Sequence, residues 1–295
     1  MLLFMAPWVI GFLAFTFYPM VSSLYFSFTS YDLLSTPEWI GLANYRFMFT
    51  KDPVFWTAIK NTLFMIVFGT SLRVLVAITT ASLLVKQRRG MKVYRTIFFV
   101  PSMVPAVAAA LAFLYLFNPA TGPVNQLLGA VGVKAPPLWL YDADWAKWTL
   151  VLLAIWGVGD AMIIFLAGLL DVPKQLYEAA DLEGSSRWQS FRFVTLPMIS
   201  PVIFFSLVIG VITGFQYFTQ AFVIGLWQTN DVAAVGGLQN SLMFFTTRLY
   251  QSGFQNFKMG YASALAWVLL VITMVCTVAI LRNSRRWVHY QGAAR

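Results

Sequence analysis

Apolar residues in this chain run in blocks longer than a soluble core helix needs, and the polar residues gather between the blocks. No charged residue precedes Asp32, and none lies between Arg95 and Lys134, between Arg192 and Asp231, or between Lys258 and Arg282. Crossing a hydrocarbon core of about 30 Å takes roughly 20 mostly apolar residues, so four segments meet that requirement outright. Two more are interrupted once each near the middle, residues 61–85 by Arg73 and residues 148–170 by Asp160. The pattern predicts an all-α protein with six membrane-spanning helices near residues 2–27, 58–85, 96–117, 148–170, 201–226 and 260–281, forming one domain over 1–295. The first block is too long for a secretory leader, lacks a basic start and shows no small-residue cleavage site, so it reads as a retained span. Its apolar start at Met1 predicts a short cytoplasmic tail ahead of the numbered chain.

Composition agrees with a lipid solvent. Of 295 residues 59% are hydrophobic and 11% charged, and the mean hydropathy is +0.73; soluble domains carry about 25% charged residues. Twelve of the twenty Lys and Arg residues fall in the turn after the second block (Lys86, Arg88, Arg89, Lys92, Arg95), the loop after the fourth (Lys174, Arg187, Arg192) and the tail (Arg282, Arg285, Arg286, Arg295). Basic residues in short loops favour the cytoplasmic face, which predicts that both termini are cytoplasmic. The net charge of +9 borders apolar spans instead of forming one basic face, so nucleic acid is not an expected partner.

Several chemistries are excluded. The single histidine, His289, has no second ligand at metal spacing, and no nucleotide-cradling G-x-x-x-x-G-K-[ST] run exists. Any ATP and Mg would have to be bound by partner subunits. Lone Cys276 reads as a buried apolar side chain.

The most informative stretch is the loop at 171–200 between the fourth and fifth spans. Pro173 suits a helix start, residues 174–182 are good helix formers, and Gly184 supplies the backbone freedom to end the helix. A second short helix from Ser186 closes at Leu196-Pro197, giving a knob of two helices folded at a glycine, with Glu178, Asp181 and Glu183 on or near the first. Residues Glu178-Ala179-Ala180, Gly184 and Leu196-Pro197, with FYPMVSSLYFSFTSYD (17–32), WIGLANYRFMF (39–49), YRTIFFVPSMVP (94–105) and FQNFKMGYASALAWVL (254–269), resemble the permease subunits of bacterial carbohydrate ABC importers of the maltose and glycerol-phosphate type.

The resemblance implies a type I importer permease that pairs with a second permease as a heterodimer, docks two ATP-binding subunits through this EAA loop, and receives sugar from an extracytoplasmic binding protein. It implies coupling roles for Glu178, Ala179, Ala180, Asp181, Glu183, Gly184, Leu196 and Pro197, with Glu183 one methylene longer than the family's usual Asp. The plainer reading of the loop is an amphipathic segment lying on lipid headgroups.

Polar groups at bilayer depth are costly and tend to face protein or a water-filled path. Phe215, Gln216, Tyr217, Thr219 and Gln220 mix amides and hydroxyls with aromatic rings, as sugar recognition requires, and helical spacing would put Gln216, Thr219 and Gln220 on one face. Trp156, Gly157 and Asp160 stand at comparable depth in the fourth span, with Tyr115 and Asn118 as further candidates. Interhelical hydrogen bonding explains the same polar residues without a ligand, and Arg73 and Asp160 either neutralise one another in a buried pair or meet substrate. An ion-coupled secondary transporter or channel would leave the 171–200 loop unexplained, and a polytopic membrane enzyme would lack any clustered nucleophile, base or metal set.

Overall fold

The computed structural model describes residues 2–86, 89–229, 231, 234–284 and 288. His289, Arg88, Arg285, Arg286 and Arg295 lie outside the described residues. Four helices are long and apolar enough to cross a membrane, Met5–Ser27, Pro53–Leu84, Ser200–Thr229 and Met259–Ser284. Two bent pairs, Met91–Met103 with Ala106–Leu116 and Ala143–Trp156 with Gly159–Leu170, bring the spans to six.

The second and fourth spans begin about five residues before the expected 58 and 148, because each is started by a cap ahead of its apolar run. Asp52 accepts the Val54 N–H and is followed by Pro53, and Asp142 accepts the Asp144 N–H.

Three of the six spans are interrupted. The third turns by 101° at Val104, which the following Pro105 confines to extended geometry (φ −72°, ψ 127°). The fourth bends by 48° after Trp156, where Gly157 ends one helix and Gly159 begins the next. The fifth loses helical geometry between Phe215 and Thr219.

Packing divides into an end that carries the 171–200 elbow and an opposite, far end. At the elbow end Val74, Ala77, Ile78 and Ala81 of the second span pack on Met162, Phe165 and Leu169 of the fourth. The first span leans on the last, where Trp267 Nε1 donates to Ser23 Oγ at 3.2 Å, and leaves most of its aromatic surface exposed. A two-residue antiparallel ladder pairs Thr29–Ser30 with Glu38–Trp39.

The far-end segment between the fifth and sixth spans folds back into the bundle. Val235, Leu242, Met243, Phe244 and Phe245 are buried, and the irregular backbone finds side-chain partners. Asn61 Nδ2 donates to the carbonyls of Asn240 and Met243 at 2.9 and 3.0 Å. Gln228 Oε1 accepts the Leu238 N–H, and Thr62 Oγ1 accepts that of Phe245.

Candidate functional site

All three helix breaks face one cavity of about 350 Å³. Pro101, Ser102, Val104 and Ala106 reach it from the third span, Trp156, Gly157 and Asp160 from the fourth, and Thr213, Tyr217 and Gln220 from the fifth. A π-turn at Met65–Thr70 in the second span completes the wall. Irregular backbone inside a membrane bundle is tolerated where it lines a cavity or is covered by protein, and these three breaks meet that condition by lining one cavity. The approach is tight: a Cβ at Gly159 would lie 2.5 Å from the Phe98 carbonyl oxygen and 2.6 Å from Phe99 Cα, so only glycine lets the broken third and fourth spans meet.

Among the sequence candidates, Trp156, Gly157, Asp160, Tyr217 and Gln220 line this cavity, whereas Phe215, Gln216 and Thr219 do not. The shared helix face expected for Gln216, Thr219 and Gln220 is absent because the helix stops at Phe215 and restarts at Thr219. Phe215 is buried in packing, and Gln216 is exposed beyond the break. Asn118 caps its own turn, its Oδ1 accepting the N–H groups of Ala120 and Thr121 at 3.0 Å.

Arg73 and Asp160 do pair, at 2.5 Å, but the pair is not buried: the side chains are 33% and 57% exposed and both line the cavity. Arg73 Nη2 also reaches the Gly157 carbonyl at 3.4 Å. The guanidinium thus sits at the carbonyl end of one half-helix while Asp160 occupies the first turn of the next, the favourable sign of charge at each terminus.

Thr70, Ser102 and Ser206 also line the cavity and were not singled out from the sequence, and Thr213, at the head of the fifth-span polar run, joins them. Ser206, Gly210 and Thr213 are four and three residues apart, a small-and-polar stripe at helical spacing that could have revealed them. The Tyr217 hydroxyl is enclosed without a hydrogen-bond partner, an arrangement that leaves it a donor to offer.

The elbow is built from local signals. Helix Lys174–Leu182 ends with Ser185 N–H on the Ala180 carbonyl at 2.9 Å and Gly184 N–H on that of Asp181 at 3.0 Å, around Gly184 at φ +76°. Ser186 then caps the next helix in a reciprocal box with Gln189. This second arm ends one residue beyond the expected Leu196-Pro197. It runs from Arg187 through a π-turn at Phe191–Thr195 and on to Met198, and the chain turns only at Ile199. The wider π-turn precedes Pro197, which has no N–H to give a regular helix.

Tyr177 and Thr195 join the two arms through their hydroxyls at 2.9 Å, and Tyr177, Phe191, Leu196 and Met198 pack on the cluster between the second and fourth spans. Glu178, Ala179, Asp181, Glu183 and Gly184 are exposed, Ala180, Leu196 and Pro197 half-buried. Leu182 is 90% exposed beside these carboxylates. The Cβ position of Gly184 faces open space.

Comparison with known proteins gives a consistent result. The profile described as "Binding-protein-dependent transport system inner membrane component" matches residues 73–289. The chain is 41% identical over 290 residues to the probable ABC transporter permease protein YesP of Bacillus subtilis (strain 168), covering 98% of this chain and 91% of the relative. It is 34% identical to the arabinooligosaccharides transport system permease protein AraP of the same organism, over 96% and 87% of the two chains. Its fold matches a chain in the crystal structure of a bacterial ABC transporter importing the acidic polysaccharide alginate, with a TM-score of 0.79, 26% identity and 95% and 93% coverage.

Proposed function

The chain belongs to the family of binding-protein-dependent transport system inner membrane components, and from that premise we propose that its cavity passes sugar and that its elbow takes up the stroke of an ATP-binding subunit. It is a multi-pass, non-catalytic permease subunit of a carbohydrate ABC importer, similar over nearly its whole length to AraP. The single observation that carries the sugar path is the convergence of three broken spans on one cavity. Its hydroxyls, amide and indole (Thr70, Ser102, Ser206, Thr213, Tyr217, Gln220, Trp156) offer the donors, acceptors and flat apolar surface that a sugar ring presents in complement.

The elbow reading is supported by exposed Glu178, Asp181 and Glu183 beside Leu182, a mixed acidic and apolar tip at a glycine bend with open space around it. Its packing on the second and fourth spans offers a route from tip to cavity wall, since Val74 of that cluster also lines the cavity. In this scheme the chain forms half of the pathway in a heterodimer with a second permease, two further subunits bind ATP and Mg, and an extracytoplasmic protein delivers sugar at the far end. Both termini and the elbow then face the cytoplasm, as the loop charges favour.

The test is reconstitution of the whole complex in proteoliposomes with its binding protein, measuring ATP hydrolysis across neutral and acidic oligosaccharides. Stimulation by one sugar class is expected. ATP hydrolysis indifferent to every sugar, or an elbow that crosslinks to no ATP-binding subunit from Leu182→Cys, would remove the reading.

A further inference from the structure

At the break in the fifth span the carbonyls of Phe215 and Tyr217 leave the regular helix ladder, and a residue far along the chain serves both. Thr246 Oγ1 lies 3.0 Å from the Tyr217 oxygen and 3.5 Å from that of Phe215. A carbonyl without a donor inside a membrane bundle is costly, so this hydroxyl stabilises the broken geometry. That geometry is what turns Tyr217 and Gln220 toward the cavity while Gln216 faces away.

Thr246 rides on a short helix, Phe245–Tyr250, that is held from both sides. At its start Thr62 Oγ1 accepts the Phe245 N–H at 2.9 Å. Near its end Arg248 meets the buried Asp52, with Nε and Nη2 at 3.1 and 2.9 Å from Oδ2, and Nη1 donates to Gln251 Oε1 at 2.8 Å. Tyr261, at the start of the last span, donates to the same Asp52 oxygen at 2.6 Å, and Val54 N–H fills Oδ1. The clamp therefore joins the start of the second span, the short helix and the start of the sixth span.

We propose that Thr246 is a positioning residue for the cavity, fixing the fifth-span break that aims Tyr217 and Gln220, and that the Asp52–Arg248–Tyr261 clamp sets the place of Thr246. The inference deepens the cavity reading but its test needs no sugar. In the full complex with Cys276→Ala, a cysteine at Gln220 is labelled with a water-soluble maleimide, and a cysteine at Leu182 serves as the control for intact assembly. Thr246→Val, which keeps shape and deletes the hydroxyl, is expected to change the labelling rate at position 220 by about fivefold, the scale of one net hydrogen bond, with position 182 unaffected.

Thr246→Ser should restore the wild-type rate. Asp52→Asn should shift position 220 in the same direction, and adding it to Thr246→Val should give less than the product of the two effects. Should Thr246→Val fail to assemble, Asp52→Asn carries the same readout. An unchanged rate at position 220 in the assembled variant, or a serine variant as altered as the valine one, overturns the proposal. Because sugar is absent from this measurement, the cavity could fail as a sugar path and the positioning role would still be decided.

Discussion

The elbow and the cavity are assembled by opposite means. The hydrogen bonds that shape the elbow are local, the longest being Tyr177 to Thr195, eighteen residues apart, and only its inner face packs on the second and fourth spans. The cavity is closed by contacts across 140 residues (Thr70 to Gly210) and 87 residues (Arg73 to Asp160), and the clamp behind it spans 196 (Asp52 to Arg248). A local device keeps its shape while it is carried about as a unit. A nonlocal one exists only as long as several spans stay in register, which makes it the part that changes when they move.

The comparison can be broken most sharply at Gly184. The Cβ of a valine there meets nothing within 4 Å, but the residue must adopt φ +76°, at about 1–2 kcal/mol, so insertion should survive while transport is lost. Asparagine, which tolerates that backbone, should retain more transport than valine; equal and normal transport in both would sink the docking elbow. Next in size is Asp52→Ala, which strands Arg248 and should cost about 3–5 kcal/mol, read as a lowered unfolding midpoint. Hydrogen exchange should quicken together at the second span, the 245–250 helix and the sixth span.

Ser186→Ala should cost only about 1 kcal/mol, with faster exchange confined to the elbow; spreading to the cavity would contradict its local character. Smallest is the response to pH. Burial pushes the Asp52 carboxyl up, but hydrogen bonds from Tyr261 and Arg248 outweigh it and hold the group below its ordinary value of 3.8. A depressed carboxylate contributes stability above its unfolded value and loses it as pH falls through the folded one. The clamp should therefore give a constant contribution between about pH 5 and 8, checked by unfolding midpoints of wild type against Asp52→Asn.

The same contrast explains what was legible beforehand. Gly184, Ser186 and the helix formers at 174–182 announce the elbow because caps and turns depend on neighbours in sequence. Spans were legible as charge-free blocks, and Arg73 and Asp160 as costly intrusions. The breaks were not, although Pro101 and Pro105 stood in view, because a proline in a membrane helix breaks it only where neighbouring spans can take over the freed backbone groups. Thr246 was invisible for that reason: its use lies in carbonyls some thirty residues away. Helical spacing failed at Gln216 and Thr219 because it presumed the helix it was meant to describe.

The pairing of Arg73 with Asp160 has an electrical consequence. Two opposite charges that travel together carry no net charge through the field of an energised membrane, where one unpaired charge would feel about 2.3 kcal/mol per 100 mV. Voltage would then do no work on this wall in any movement that keeps the pair together, and an uncharged cargo would cross at the same rate in polarised and depolarised vesicles.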